Sequence, residues 1–355
     1  MMNKKTAIIM INYKKYAERF LKESYESLLK LNYPRELYRI YVVDNATSAE
    51  TAAEIKQLAP EAVIIPSDGN GWGHANNLGA EQAMKDGFAD YLYFANMDTV
   101  FDKNCLSEAI SAYESDPRIG IVQSKLLLHP PINGEYMLNS KGNFVTYLGF
   151  SYCSGDGKKD DAGDEIVDIA SASGAGLLIA GKLFLDIGKC DESYFMYHDD
   201  VELSFKAKLS GRRVVLAPRS VVYHKHEFGR SIMQIYSMEK NRLKFLLEFY
   251  KIPTLLVILP AFLFMEIGMI FYAILKGWLK AKLKSYGYFL NYKNLILIYK
   301  KRKQIQAIRK ISDKEMLKGV TGIIDFQQIN NPVLKYIANP IFNFYWLIVK
   351  KIIIW

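Results

Sequence analysis

Three carboxylates fall within four residues at Asp199-Asp200-Val201-Glu202, directly after His198. Acids crowded in this way raise one another's pKa, which suits a general base that takes the proton from an acceptor hydroxyl. The same acids also suit the first turn of a helix, where they offset the macrodipole. Asn96-Met97-Asp98-Thr99 sets oxygen-bearing side chains at i and i+2 after an apolar run. Such a pair can face one Mg2+ or Mn2+ between diphosphate oxygens, because hard cations combine one or two carboxylates with substrate phosphates. An Asx-turn is the alternative. His224 follows the strand-like run 214–222 and can complete a metal shell as a neutral imidazole, with His226 a competitor two residues on.

Two further segments could hold a nucleotide. Asp44-Asn45 ends an apolar run, and a carboxylate at a strand end can bind a base or ribose. A helix cap or plain turn is the alternative. The loop Gly69-Asn70-Gly71-Trp72-Gly73-His74-Ala75-Asn76-Asn77 has three glycines in five residues, so its backbone can approach a ligand closely. A helix start after it offers N–H groups to phosphate. The spacing is neither a Walker loop nor GxGxxG.

These residues need elements to place them. The first 225 residues alternate strand and helix signals: strands over 6–11, 38–43, 62–65, 91–94 and 120–123, and helices over 17–31, 49–58, 76–86 and 106–115. That rhythm predicts an α/β domain with a largely parallel sheet. Ligands of such sheets bind beyond the carboxyl ends of the strands. Asp44-Asn45, the glycine loop and Asn96–Asp98 all follow strands, so the pattern puts them on one rim.

The character changes after Gly229. An amphipathic helix is expected over 231–250, followed by an apolar stretch at 253–275 whose one charge is Glu266. Lys276 to Lys310 then holds 11 Lys and Arg and no Asp or Glu, so this segment carries the formal charge of +9. A last apolar stretch covers 333–355. Stretch 253–275 is long enough to cross a bilayer. A single crossing would carry the basic segment to the far side, against the positive-inside rule, since Arg242, Lys244 and Lys251 mark the near side as basic. An in-plane or re-entrant attachment through 253–310 and 333–355 is expected instead, with Lys and Arg on anionic headgroups. The apolar interleaving of that segment argues against nucleic acid. Three cysteines are too few for a disulfide framework, and the short apolar N-terminal run reads as a buried strand rather than a secretory signal.

In order along the chain, Ile11-Asn12-Tyr13, Val43-Asp44-Asn45, Asn70–Gly73 with Asn76-Asn77, Asn96–Asp98, Ser173–Ile179, Asp191–Phe195, Tyr197–Leu203 and Val221–His224 resemble the inverting family 2 glycosyltransferases of the GT-A fold. The rhamnosyltransferase-like branch is the nearest in pattern. The resemblance implies a GT-A domain over 1–230 and a helical membrane-associating region over 231–355. It implies transfer of a sugar from a UDP- or dTDP-sugar to an acceptor hydroxyl. Asp44 would bind the base beside Asn12 and Asn45, and the loop Asn70, Gly71, Gly73, Asn76, Asn77, with Asn96, would hold the nucleotide diphosphate. Asp98 and His224 would hold a divalent cation, Mn2+ or Mg2+. Asp200 would be the base, with Asp199 and Glu202 shaping its site, and Ser173-Gly174 would line the acceptor pocket. Two positions depart from the pattern: Asn96 stands where many relatives have Asp, and the acidic pair is Asp199-Asp200 rather than Glu-Asp. The membrane segments suggest a lipid-linked saccharide as acceptor, at the cytoplasmic face of the membrane. A sugar nucleotidyltransferase and a non-catalytic carbohydrate- or lipid-binding scaffold are the rival readings.

Overall fold

The computed structural model describes residues 4–69, 71–225, 232–325 and 332–355. Its strands are β1 (Thr6–Asn12), β2 (Tyr38–Asp44), β3 (Val63–Pro66), β4 (Tyr91–Ala95), β5 (Thr99–Phe101), β6 (Ile119–Leu128), β7 (Leu138–Ser140), β8 (Asn143–Val145), β9 (Ser151–Cys153), β10 (Val167–Asp168), β11 (Gly176–Ala180) and β12 (Arg213–His224). The helices are α1 (Lys22–Leu28), α2 (Ala49–Leu58), α3 (Trp72–Lys85), α4 (Cys105–Glu114), α5 (Gly181–Asp186), α6 (Asp199–Leu209), α7 (Ile232–Phe249), α8 (Ile252–Leu275), α9 (Leu279–Leu290), α10 (Tyr292–Ala307), α11 (Asp313–Met316) and α12 (Asn339–Ile352).

The main sheet runs β10-β12-β6-β11-β4-β1-β2-β3. β1 and β4 are nearly continuous apolar runs buried on both faces, as central parallel strands must be. β3, β2, β1 and β4 are parallel, and so are β6 and β12. Between these two blocks β11 runs antiparallel to both neighbours. The cause is the excursion between β6 and β11. β6 delivers the chain to the carboxyl rim, and residues 129–175 return it to the sheet from that same rim, so β11 must run the opposite way.

Alternate residues of each strand feed separate cores, following the two-residue period of the pleat. Ile8, Met10 and Val42 pack with α1, α2 and α4. Ile9, Val43 and Phe94 pack with α3, α5 and α6. A third core joins α7, α8 and α12 to Val145, Tyr147, Leu148 and Phe150 and to Val201 and Phe205 of α6. The C-terminal helices are therefore seated on the sheet domain. Helix α3 begins at Trp72, four residues earlier than the expected start at Asn76. Gly71 makes this possible: its φ of 112° is open to glycine and it caps the helix.

Candidate active site

Strand register gathers the site. Asn12 pairs with Asp44, and Met10 with Ala95, so β1, β2 and β4 end together. Gly176 then pairs with Ala95, which sets the start of β11, and the Ser173-Gly174 loop before it, beside Asn96–Asp98. His224 ends β12 opposite Thr99. The antiparallel insertion of β11 thus brings the acidic segment to the rim that carries the other motifs.

Asp44 is buried and fixed. Asn12 Nδ2 donates to its Oδ1 at 2.8 Å, the Ala46 N–H donates to the same oxygen at 3.1 Å, and Thr51 Oγ1 donates to Oδ2 at 2.6 Å. Asn12 Oδ1 accepts the Ala17 N–H at 2.9 Å. The carboxylate thereby ties β1, β2 and the start of α2 together. The Asn45 N–H bonds Asn12 O at 3.0 Å, and Asn45 Oδ1 has no hydrogen-bond partner among the described residues.

Asn70 lies outside the described residues. From Gly71 on, the glycine loop is fastened to the turn 190–195. The Trp72 N–H donates to Phe195 O at 2.9 Å, and a Cβ on Gly71 would sit 2.7 Å from that oxygen. A Cβ on Gly73 would lie 3.2 Å from Cys190 Cβ. Asn77 Nδ2 donates to Cys190 O and Glu192 Oε1 at 3.1 and 2.9 Å, while its Oδ1 accepts the Cys190 N–H. Asn76 Nδ2 donates to Trp72 O at 3.0 Å. Asn76 and Asn77 are both buried and direct these polar groups into the protein, shaping the loop. At the N-terminus of α3 the Trp72 N–H is taken by Phe195 O, and the N–H groups that follow it in the first turn lack intrahelical acceptors. The Trp72 ring packs on the other motif: a Cβ on Gly174 would lie 2.5 Å from it.

Asp98 and His224 converge, with Oδ1 and Nε2 3.3 Å apart and both residues buried. His224 Nδ1 lies 2.8 Å from Asn139 Oδ1, an acceptor, so Nδ1 carries a hydrogen and Nε2 is the nitrogen turned toward Asp98. Asn139 Nδ2 in turn donates to Asp156 Oδ1 at 3.0 Å. Asn96 is half-buried, and its carbonyl accepts Thr99 Oγ1 at 2.6 Å. Among the described residues no group of three or more His, Cys, Asp or Glu is arranged to hold a metal. One carboxylate and one oriented imidazole fit a hard cation that takes its other ligands from phosphate and water.

The acids open α6. His198, Tyr197 and Phe195 before them all have positive φ, at 64°, 64° and 67°. Three non-glycine residues in this region store strain that the surroundings must hold. Asn241 of α7 does so: its fully buried Nδ2 lies 2.8, 2.9 and 2.8 Å from the carbonyls of Tyr194, Met196 and Tyr197. His198 Nε2 donates to Gly149 O at 2.8 Å, and burial pushes its pKa down to about 4, so the ring is neutral.

Asp200 is half-buried, and each of its oxygens accepts a backbone N–H, from Gly174 at 3.3 Å and from Val201 at 2.8 Å. Asp199 is buried; its Oδ1 accepts the Asp200 N–H at 3.2 Å and its Oδ2 has no partner among the described residues. Burial raises both carboxyls above the usual range, and the charge of Asp200 raises Asp199 further. The two N–H donors oppose that rise at Asp200. Asp200 therefore ionises first, with Asp199 neutral behind it. Glu202 is buried and paired with Lys206 at 2.8 Å. The Ser173 N–H donates to Gln123 Oε1 at 2.7 Å, anchoring the loop that holds Asp200.

Asn241, Asn139 and Thr51 are working parts of this rim with no signal in the sequence. Asn241 meets its partners only because α7 folds back across residues 194–197. Replacing it with Asp keeps the size and removes the donors. Asn241→Asp is expected to lower kcat by about 100-fold, the cost of an ångström of misplacement, with donor KM nearly unchanged. Steady-state kinetics beside circular dichroism would check this, and an unchanged kcat in a folded variant would refute it.

The model of glycosyl transferase family 2 matches residues 7–152, and that of glycosyl transferase family group 2 matches residues 93–310. The low-salt glycan biosynthesis hexosyltransferase Agl10 of Haloferax volcanii is 24% identical over 205 residues, 57% of this chain and 61% of that protein. Among solved structures, GalNAc-T7 with UDP, GalNAc and Mn2+ superposes with a TM-score of 0.53 at 14% identity, covering 69% of this chain and 48% of its own. Residues 1–349 of S. aureus TarS give 0.51 at 17% identity, covering 98% of this chain and 90% of its own. These likenesses share the fold expected from the sequence. With a family match over more than half its length and a GT-A sheet carrying the motifs at its carboxyl rim, the chain belongs to glycosyl transferase family 2.

Proposed function

We propose that this protein is an inverting hexosyltransferase that uses Asp200 as its base and a nucleoside-diphosphate sugar as donor. The carrying observation is the Asp200 carboxylate, held by the Gly174 N–H on the loop that enters the sheet beside Asn96–Asp98. An acceptor hydroxyl at Asp200 gives its proton to the carboxylate while its oxygen bonds to the anomeric carbon from the face opposite the diphosphate. The bond from that carbon to the diphosphate oxygen breaks, and the nucleoside diphosphate leaves with the electron pair. One displacement inverts the anomeric configuration. The N-terminus of α3 supplies N–H groups to the leaving phosphates.

Asp98 and His224 would hold the divalent cation, which supplies positive charge against the leaving diphosphate. GalNAc-T7, with UDP and Mn2+, and TarS 1–349, with UDP, support a uridine nucleotide and a metal as first choices. Release of nucleoside diphosphate from a panel of UDP-, dTDP- and GDP-sugars, with Mn2+ and with EDTA, tests the reading. Donor turnover with retained anomeric configuration would refute the inverting step. Asn139→Leu is expected to weaken Mn2+ binding by about 10–100-fold, because the imidazole loses the partner that fixes its tautomer. Calorimetry with Mn2+ and UDP reads this directly, and an unchanged affinity would remove Asn139 from the account.

In this reading residues 1–230 form the transferase unit and 231–355 seat it in the plane of the membrane, at its cytoplasmic face. Support comes from α8, whose 24 residues are long and apolar enough to cross a membrane and are mostly not buried in the protein. Leu256, Leu263, Phe264, Ile267 and Phe271 are among its exposed residues, and Phe344, Leu347 and Ile348 are exposed on α12. Glu266 is paired with Arg242 on α7, which packs against the sheet domain, and with Lys282 on α9, which packs on α7; this favours lying in the plane over crossing it. A lipid-linked saccharide is the acceptor that such a seat would bring to Asp200.

A further inference from the structure

A cavity of about 710 Å3 lies between α7, α8 and residues 333–342. That is within the ~300–1,000 Å3 range of small-molecule sites. Its wall is almost wholly apolar and includes three methionines, Met238, Met265 and Met269, whose flexible thioethers can follow an irregular chain. Among the described residues, two charged ones line it. Glu239 is compensated by Arg242 and Lys282, which leaves exposed Lys276 as the cation available to a ligand.

We propose that this cavity takes the hydrocarbon chain of the acceptor lipid, with Lys276 meeting its phosphate. The inference rests on the reading above of a lipid-linked acceptor. Three observations commit the cavity to this occupant. Its lining residues Phe264, Ile267 and Phe271 are also exposed on the apolar face of α8, so a chain can enter from a bilayer without crossing water. Lys276 and its neighbours Tyr272 and Trp278, whose rings meet edge-on at 6.1 Å, give the opening the aromatic and basic character of a headgroup boundary. Phe150 also lines the cavity, and the preceding residue, Gly149, accepts the His198 hydrogen bond just before Asp199 and Asp200. The Gly149–His198 bond thus links the cavity wall to the start of α6, which carries the base.

Gly268 provides the test. It lines the cavity, and a Cβ added to it meets nothing within 4 Å, so Gly268→Trp can fill the space without a clash at its root. A benzophenone-bearing polyprenyl phosphate would be incubated with the full-length protein in nanodiscs, without donor, and labelled peptides identified by mass spectrometry. Labelling of α7 or α8 residues in the cavity is expected, lost in Gly268→Trp and reduced in Lys276→Glu. Transfer to the lipid-linked acceptor should fall in Gly268→Trp, while transfer to a short water-soluble acceptor stays at the wild-type rate. Labelling outside the cavity, labelling unchanged by Gly268→Trp, or displacement of the probe by an equal amount of phosphatidic acid would each overturn the inference. The labelling arm needs no turnover. Cavity labelling with no transfer from any donor would refute the transferase reading of the acceptor and leave the chain-binding site standing.

Discussion

Asp200→Asn is expected to lower kcat for sugar transfer by about 100- to 10,000-fold, the contribution of a positioned proton acceptor. Nucleotide binding should persist, because Asp44, the α3 N-terminus and the Asp98–His224 pair do not depend on this side chain. The substitution is nearly isosteric, and the asparagine oxygen can still accept one of the two backbone N–H groups that Asp200 holds. Single-turnover transfer beside nucleotide titration would separate the two effects; a variant with normal kcat would remove Asp200 as base. The pH profile makes the same claim independently. Burial lifts the carboxyl of Asp200 above the usual range, and only its ionised form can accept a proton. Activity must therefore be lost as pH falls through that raised value, with the acid limb of kcat/KM above an ordinary aspartate's. Asp199 stays neutral while Asp200 ionises, so Asp199→Asn should leave the acid limb near its wild-type position, and a large shift would show that the two acids share the titration.

The largest structural effect is expected at Arg242. Arg242 lies within 3.0 Å of Glu239 and also pairs with Glu266, while Lys282 lies 2.8 Å from Glu266 and also pairs with Glu239. Arg242 and Lys282 are 1% and 0% exposed, so water cannot replace a lost partner. Arg242→Met strands two carboxylates with one lysine and should destabilise the fold by about 3–5 kcal/mol, the cost of breaking a buried ion pair. Adding Glu239→Gln removes the excess negative charge and should restore much of that loss. Denaturant unfolding in detergent measures both. Equal stability of wild type and Arg242→Met would mean that the cluster does not hold α7, α8 and α9 together. Arg242 Nη1 also donates to Leu148 O at 3.1 Å, so the same variant should loosen the loop that carries Gly149 and, through His198, the start of α6.

Much of this protein is legible residue by residue. Nearly continuous apolar runs along Thr6–Asn12 and Tyr38–Asp44, and their ends at Asn12 and Asp44, determine buried strands and the rim where they stop. Ser48 and Thr51 form a capping box, so α2 occupies the expected residues 49–58. These are local effects: backbone propensity, period and capping act over a few positions, which the sequence displays directly. Tertiary structure decided what depends on distant partners. β11 runs antiparallel because the chain returns from the carboxyl rim, which no local pattern records. Asn77 and Glu202 stand among polar motif residues, yet they bond Cys190–Glu192 and Lys206. Asn241 and Asn139 look ordinary until folding sets them beside carbonyls 44 to 47 residues away and an imidazole 85 residues away. The lone Glu266 of α8 reads as an interruption in an apolar stretch, and only packing against α7 and α9 supplies its cations. The physical reason is the same throughout. A buried polar group must find a partner, and the choice of partner is made by the meeting of elements rather than by the residues beside it in the chain.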